Sequence, residues 1–256
     1  MNEGPCDVYD FTVIDESADW IVVDKPAPLQ VHPSKPGGPP TLWHGLRELL
    51  VCELAGGAAL SLINRLDRET SGLTLVAKHT AAARRLHKAM MRRQMEKEYR
   101  ALVWGWPDWE SLTIEAPILR KGEVMETEIY LIQAVHPDGV PCRTDCRVLR
   151  RFERETSNGR KFSVIAARPM TGRMHQIRVH LSHAGYPVVG DKLYGPSSEW
   201  YLRQIRDGWT AEAEAALLMR RHALHSSHLA VRDEDGEGLS WEAPLARDMA
   251  AFAGEL

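Results

Sequence analysis

Apolar positions fall in short runs broken by Gly, Pro and polar clusters, a pattern that predicts strands and helices in mixture. Residues 11–24, FTVIDESADWIVVD, read as a strand, a polar turn and a second strand carrying Ile21, Val22 and Val23. The following KPAPLQVHPSKPGGPP cannot be helical, because proline lacks the N–H and clashes with the preceding turn. A helix is predicted over 41–54, with Thr41 as its N-cap. Residues 60–78, LSLINRLDRETSGLTLVAK, are apolar at both ends and polar in the middle, which reads as strand, loop, strand.

The stretch from 80 to about 95 is predicted helical, with Ala83, Leu86 and Met90 on one face and arginines on the other. Residues 99–104 alternate as a strand that Gly105-Trp106-Pro107 ends. Further strands are expected over 113–167, with turns at His136-Pro137-Asp138-Gly139 and Ser157-Asn158-Gly159. Thr171-Gly172 should open a helix bearing Ile177, Leu181 and Ala184 on one side, closed by Gly185. An Ala-rich helix is predicted over 211–221, and strands over 225–231 and 239–241. There is no internal repeat, low-complexity segment or long linker. One mixed α/β or α+β domain over 1–256 is therefore expected.

Composition adds limits. A chain of 256 residues, 44% hydrophobic and 26% charged, is that of an ordinary globular protein with a real core. No apolar run approaches the roughly 18 residues of a membrane span, so no membrane partner is expected. The start, MNEGPCDVYD, has neither the basic nor the apolar region of a secretory signal, and a cytoplasmic location is the expectation. Cys6, Cys52, Cys142 and Cys146 call for no disulfide framework, and the C-x3-C of PCRTDC lacks a second ligand pair for zinc. His175, His180 and His183, like His222, His225 and His228, invite a metal reading that no acid or cysteine completes at a familiar spacing. No metal is expected.

The net charge of -3 argues against a protein that coats nucleic acid indiscriminately. Its distribution is uneven. Lys78, Arg84, Arg85, Lys88, Arg92, Arg93, Lys97 and Arg100 face only Glu96 and Glu98 in their stretch. Arg168, Arg173 and Arg178 share 168–183 with three histidines and no acid, while compensating acids lie in 207–214 and 233–237. A local polyanion-binding sector and a pair of solvated helical faces both fit, and charge alone does not choose.

The string Asn64-Arg65-Leu66-Asp67-Arg68-Glu69-Thr70-Ser71-Gly72-Leu73 carries the densest chemistry, set between two runs that should be core strands. A carboxylate there needs a cationic or hydrogen-bonding partner. On the residues alone, a strand-to-strand turn pairing Asp67 with Arg65 or Arg68 is the commoner circumstance, since structural ion pairs outnumber catalytic ones.

The run from Arg65 to Leu73 resembles the signature of the RluA-type pseudouridine synthases, HRLD, two variable residues, then TSGL. Further blocks follow the family's order: IVVDKPAPLQVHP (21–33), EKEYRALVWG (96–105), RPMTGRMHQIRVHLSHAGYPVVGDKLYG (168–195), RHALHSSHLAV (221–231) and WEAPL (241–245). They span about 11 to 247. The resemblance implies an α+β pseudouridine synthase fold, a mixed, largely antiparallel sheet flanked by helices and loops and lining a basic cleft. It also implies an isomerase that turns a uridine of transfer or ribosomal RNA into pseudouridine without cofactor, and a monomer is expected.

By the same resemblance, Asp67 corresponds to the catalytic aspartate, Tyr99 to the tyrosine that stacks on the target uracil, and Arg173 to the arginine that pairs with the catalytic carboxylate. Arg65 corresponds to the arginine beside the space a flipped base vacates. Asn64, Thr70 and His175 join it as substrate-binding candidates, and Arg84, Arg85, Arg92 and Arg93 would grip phosphates. A base inside a helix is out of reach, so the target must be flipped or already unpaired. Asp67 would act as nucleophile or as base at the ribose. Position 64 is Asn where the family usually has His, which removes any protonatable role there. The family's larger members begin with a separate RNA-binding module, and its first motif lies so near Met1 here that no such module is expected.

Two other classes remain. A glycosidase using Asp67 would need a second carboxylate, for which Glu69 is the nearby candidate. A non-catalytic RNA-binding domain would need the basic faces but not the trio Asp67, Tyr99 and Arg173. A nucleotide-dependent enzyme is disfavoured, since no GxxxxGK phosphate loop occurs and Gly56-Gly57 opens no dinucleotide-binding pattern.

Overall fold

The computed structural model describes residues 10–232 and 238–255, so Cys6 and the acids of 233–237 lie outside the described residues. β1 (Thr12–Glu16) and β2 (Trp20–Lys25) precede α1 (Leu42–Leu49) and α2 (Val51–Ala55). β3 (Ser61–Leu62) and β4 (Ser71–Ala77) lead to α3 (Thr80–Met91) and β5 (Met95–Trp104). β6 (Ser111–Glu115), β7 (Ile118–Arg120), β8 (Gln133–Val135), β9 (Arg143–Glu153) and β10 (Lys161–Pro169) follow, then α4 (Gln176–His183), α5 (Glu199–Asp207) and α6 (Ala211–Leu217). β11 (Leu224–Arg232), β12 (Gly238–Glu242) and α7 (Arg247–Ala253) complete an α+β fold whose sheet is largely antiparallel, as the sequence led us to expect. Cys52, Cys142 and Cys146 are free thiols.

The chain forms two compact units. One takes the described residues up to Lys97 with Ser226–Ala246, the other Glu98–His225 with the residues from Arg247 on. Two of the three boundaries fall inside a strand, β5 and β11, and the third lies between β12 and α7.

In the first unit the strand order is β1-β2-β4-β11, with β3 on β4 and β12 on β11. β2 and β4 pair antiparallel from Trp20↔Ala77 to Lys25↔Gly72. β4 is buried along its whole length, which explains its near-continuous apolar run: covered on both faces, it has no polar side to show. α3 lays Ala82, Ala83, Leu86 and Ala89 on a core with Trp20, Leu75, Leu229 and Trp241. Each large apolar side chain so buried contributes about 1.5–3 kcal/mol. The Trp20 and Trp241 rings meet edge to face at 4.9 Å.

α3 stops at Met91, short of the expected end near 95. Arg93 turns left-handed (φ +58°) and the Gln94 N–H reaches back to Ala89 O, so the chain leaves the helix axis and enters β5 at Met95.

The second unit stacks β5-β10-β9-β6 in order, with β7 and β8 as a separate ribbon. β9 and β10 form the hairpin anticipated at Ser157-Asn158-Gly159. α4 sends Val179 into a cluster with Ile118, Ile129 and Leu193. Behind it Arg178 grips the fully buried Asp191 with two nitrogens, at 2.7 and 2.9 Å. The Arg178 charge holds that carboxyl below the usual range against the opposing effect of its burial, and the Leu193 and Tyr194 N–H groups also donate to it.

Candidate active site

In the first unit, Asp67 stands on a turn between β3 and β4 that three buried polar devices shape. Asn64, 5% exposed, donates through Nδ2 to Leu73 O (3.0 Å) and accepts at Oδ1 from Leu75 N–H (2.7 Å). Its amide thus imitates a strand partner where the chain leaves β3. The turn itself closes by Thr70 N–H to Asp67 O at 3.1 Å. Beneath it lies Lys25, whose side chain is 0% exposed and whose Nζ donates to Leu29 O (2.7 Å), Pro26 O (2.9 Å) and Arg68 O (3.3 Å). A buried ammonium is costly unless its donors are met, and here backbone carbonyls meet them. The Leu29 N–H joins the same Arg68 carbonyl at 3.0 Å.

Gly72 fixes the far side. It has φ +110°, and an added Cβ would lie 2.3 Å from Ser226 O. Only glycine lets β4 start this close to β11. Within this frame Thr70 is buried, Asp67 half-buried and Arg65 exposed.

Along α3, Arg84 and Arg85 are exposed, and Arg85 is engaged by Asp19 at 2.7 Å. Hydrogen bonds from His79 and Arg85 hold the Asp19 carboxyl below its usual range. Arg92 and Arg93 lie past the helix end, in the exposed turn before β5.

The second unit holds Tyr99, Arg173 and His175. Tyr99 is buried on β5 opposite Ala167, a small residue that leaves its ring room. Its neighbour Glu98, also buried, is held by Arg168 (2.7 Å) and Arg100 (2.8 Å). Arg173 is exposed in the segment before α4. That helix begins at Gln176, not at the expected Thr171, because His175 adopts a left-handed backbone (φ +56°) and α-helical hydrogen bonding starts only after it.

Residues 171–175 instead form a loop organised by Gln176, 3% exposed. Its Oε1 accepts from Thr171 Oγ1 (2.6 Å) and Arg173 N–H (3.1 Å), and its Nε2 donates to Arg143 O (2.9 Å) and Thr144 Oγ1 (3.0 Å). Thr144 then meets His180 Nδ1 at 2.8 Å, and His180 Nε2 meets Ala116 O at 2.9 Å. The carbonyl can only accept, so His180 carries its proton on Nε2, and burial lowers its pKa from the usual value. The ring of His175 bonds Tyr194 Oη at 2.7 Å. Among the described residues no group of three or more His, Cys, Asp or Glu is placed to hold a metal ion.

Two residues that shape these loops were not singled out from the sequence, Lys25 and Gln176. A lysine closing the apolar strand WIVVDK and a glutamine three residues after Arg173 were the available signals.

The chain is similar to known proteins over most of its length. The model of a family described as RNA pseudouridylate synthase matches residues 19–183, a span containing Asp67, Tyr99 and Arg173. A Chloroflexus aurantiacus protein called an uncharacterized RNA pseudouridine synthase is 39% identical over 88% of this chain and 63% of its own length. The ribosomal large subunit pseudouridine synthase D of Nitrosomonas europaea is 35% identical over 94% of this chain and 63% of its own. The chain thus spans less than two thirds of the length of these curated relatives. Among solved structures, human RNA pseudouridylate synthase domain containing 1 superposes with a TM-score of 0.71 at 25% identity, covering 97% of this chain and 89% of that one. With the family's model matched across both Asp67 and Arg173, and relatives this similar over nearly its whole length, the chain belongs to the RNA pseudouridylate synthase family.

Proposed function

We propose that the protein is an RNA pseudouridine synthase, an isomerase that converts a uridine of structured RNA into pseudouridine with Asp67 as its catalyst. The observation that carries this reading is the turn beneath Asp67. Lys25, Asn64 and Gly72 hold its backbone while Asp67 itself stays half-buried. A merely structural acid would not need so fixed a mount.

The reaction breaks the bond between uracil N1 and ribose C1′, turns the base, and joins C5 to C1′. C5 loses a proton and N1 gains one, so the conversion balances without redox or group donors. Asp67 acts as nucleophile or as base at the ribose. Tyr99 offers the detached uracil an aromatic face, and we assign Arg173 the role of counter-charge to the carboxylate. Arg65 lies beside the space the base leaves, and Thr70 and His175 border the substrate. We assign Asn64 to holding the loop, since its amide is occupied by β4.

Arg84, Arg92 and Arg93 meet phosphates as exposed cations. The likeness to the ribosomal large subunit pseudouridine synthase D of Nitrosomonas europaea favours ribosomal over transfer RNA as substrate. We place the enzyme in the cytoplasm, working as a monomer. The test is release of tritium from bulk RNA labelled at uridine C5, since every turnover frees that hydrogen. No release from either ribosomal or transfer RNA would defeat the proposal.

A further inference from the structure

A pocket of about 650 Å³ in the first unit is lined by Pro33, Trp43, His44, Arg47, Glu48 and Val51. It has the size of a nucleotide site. The His32 ring lies 5.4 Å from the Trp43 ring, tilted by 43°. A tryptophan serving only the core would hide both faces, yet Trp43 is half-buried and its neighbour His32 is exposed. Arg47 follows four residues later on α1, on the same helix face.

Backbone bonds tie this corner to the catalytic turn. Trp43 N–H donates to Val31 O (3.0 Å), Leu42 N–H to Gln30 O (2.9 Å) and Leu29 N–H to Arg68 O (3.0 Å). Residues 29–31 thus bridge the Trp43 corner and the turn that carries Asp67.

We infer that Trp43, flanked by His32 and Arg47, stacks an unpaired base of the substrate RNA a few nucleotides from the target uridine. The inference rests on the RNA reading proposed above. Chemistry selects a base over a bare phosphate: Glu48 on the same rim repels an isolated anion, whereas a flat uncharged base uses the aromatic face and can meet a donor and an acceptor at its edge. Arg47 then serves the edge of the base or the phosphate behind it.

The experiment measures binding of fluorescent single-stranded RNA heptamers with a central uridine to the full chain. Each flanking nucleotide is replaced in turn by an abasic residue. Trp43→Leu, which keeps apolar bulk but loses the flat face, should weaken binding by about 5- to 100-fold, and Trp43→Phe should recover most of it. At one abasic position the wild type should lose the same factor, and there Trp43→Leu should lose nothing more.

Unchanged affinity in Trp43→Leu overturns the site, as it would if a peptide were the occupant. So does a loss of equal size at every abasic position, or wild-type binding that ignores the flanking bases. Thermal melting of the variants separates a folding defect from a binding one, and the wild-type abasic series carries the test if the leucine variant melts early. Tritium release is scored separately, so a chain that stacks bases but isomerises none defeats the enzyme reading and leaves this one standing.

Discussion

The side-chain carbonyl of Gln176 accepts a hydrogen bond from the backbone N–H of Arg173 at 3.1 Å, which ties an exposed arginine to a buried amide. The other end of that amide is fixed on Arg143 O and Thr144 Oγ1, so the loop carrying Arg173 inherits the rigidity of β9. Gln176→Ala should leave Arg173 chemically present but poorly placed. Tritium release should show kcat reduced about 10- to 100-fold with KM little changed, because a loosened catalytic loop costs geometry more than ground-state contact. Gln176→Glu should not rescue it, since a carboxylate would face Arg143 O. A KM effect alone would remove Gln176 from this role.

Asp67→Asn should abolish tritium release while RNA affinity and melting temperature stay near wild type. The turn is closed by the Asp67 carbonyl, which the substitution keeps. Undiminished release would end the case for Asp67 as catalyst.

Gly72→Ala should cost at least about 3 kcal/mol, since the backbone is left-handed and the new Cβ would lie 2.3 Å from Ser226 O. Differential scanning calorimetry should show a melting temperature lower by about 6–12 °C. A shift of a degree or less would mean that β4 and β11 can part cheaply.

The arginines of α3 and of the turn after it should separate in their effects. Arg85 is engaged by Asp19, so Arg85→Ala should cost stability by up to about 1 kcal/mol. Arg84→Glu, Arg92→Glu and Arg93→Glu should instead weaken RNA binding and flatten its salt dependence. Titrations across a salt series would check both, and equal salt slopes for wild type and the triple variant would take these residues off the interface.

Acid should destabilise the fold in two stages. His180 and His222 both have lowered pKa values, chiefly through burial, with the charges of Arg178 and Arg221 adding to the effect at His222. Between their native pKa values and the ordinary 6.5, the unfolded chain binds more protons than the native one. Stability from these histidines is therefore complete above about pH 6.5 and falls as pH drops below it, by up to about 1.4 kcal/mol per pH unit for each. Asp19, Asp145, Asp191 and Asp248, whose pKa values are lowered, add a second loss below about pH 4. Urea midpoints at pH 7, 5.5 and 3.5 would reveal both stages, and a flat profile from 7 to 5 would exclude the histidine stage.

The β2 and β4 runs were legible because strands so deeply buried must be largely apolar, and the runs 21–23 and 73–77 recorded that. α5 and α7 were not anticipated. Each is short, nine and seven residues, too brief for its apolar positions to stand out as a helical pattern. The start of α4 was misplaced because Thr171-Gly172 imitates a helix opening, whereas the left-handed backbone of His175, a tertiary choice, sets the true one. Asp67, Tyr99 and Arg173 could be named from ordered motifs. Lys25 and Gln176 act through backbone atoms distant in sequence, and such contacts leave no local pattern to read.

Lys25 and the Arg68 carbonyl it holds are 43 positions apart. The mount of Asp67 therefore cannot assemble from its own neighbourhood; β2 and β4 must already be zipped together. α3, whose backbone hydrogen bonds are local, can form much earlier. During refolding, circular dichroism should recover first and activity last, which makes turnover the stricter gauge of a correctly folded molecule.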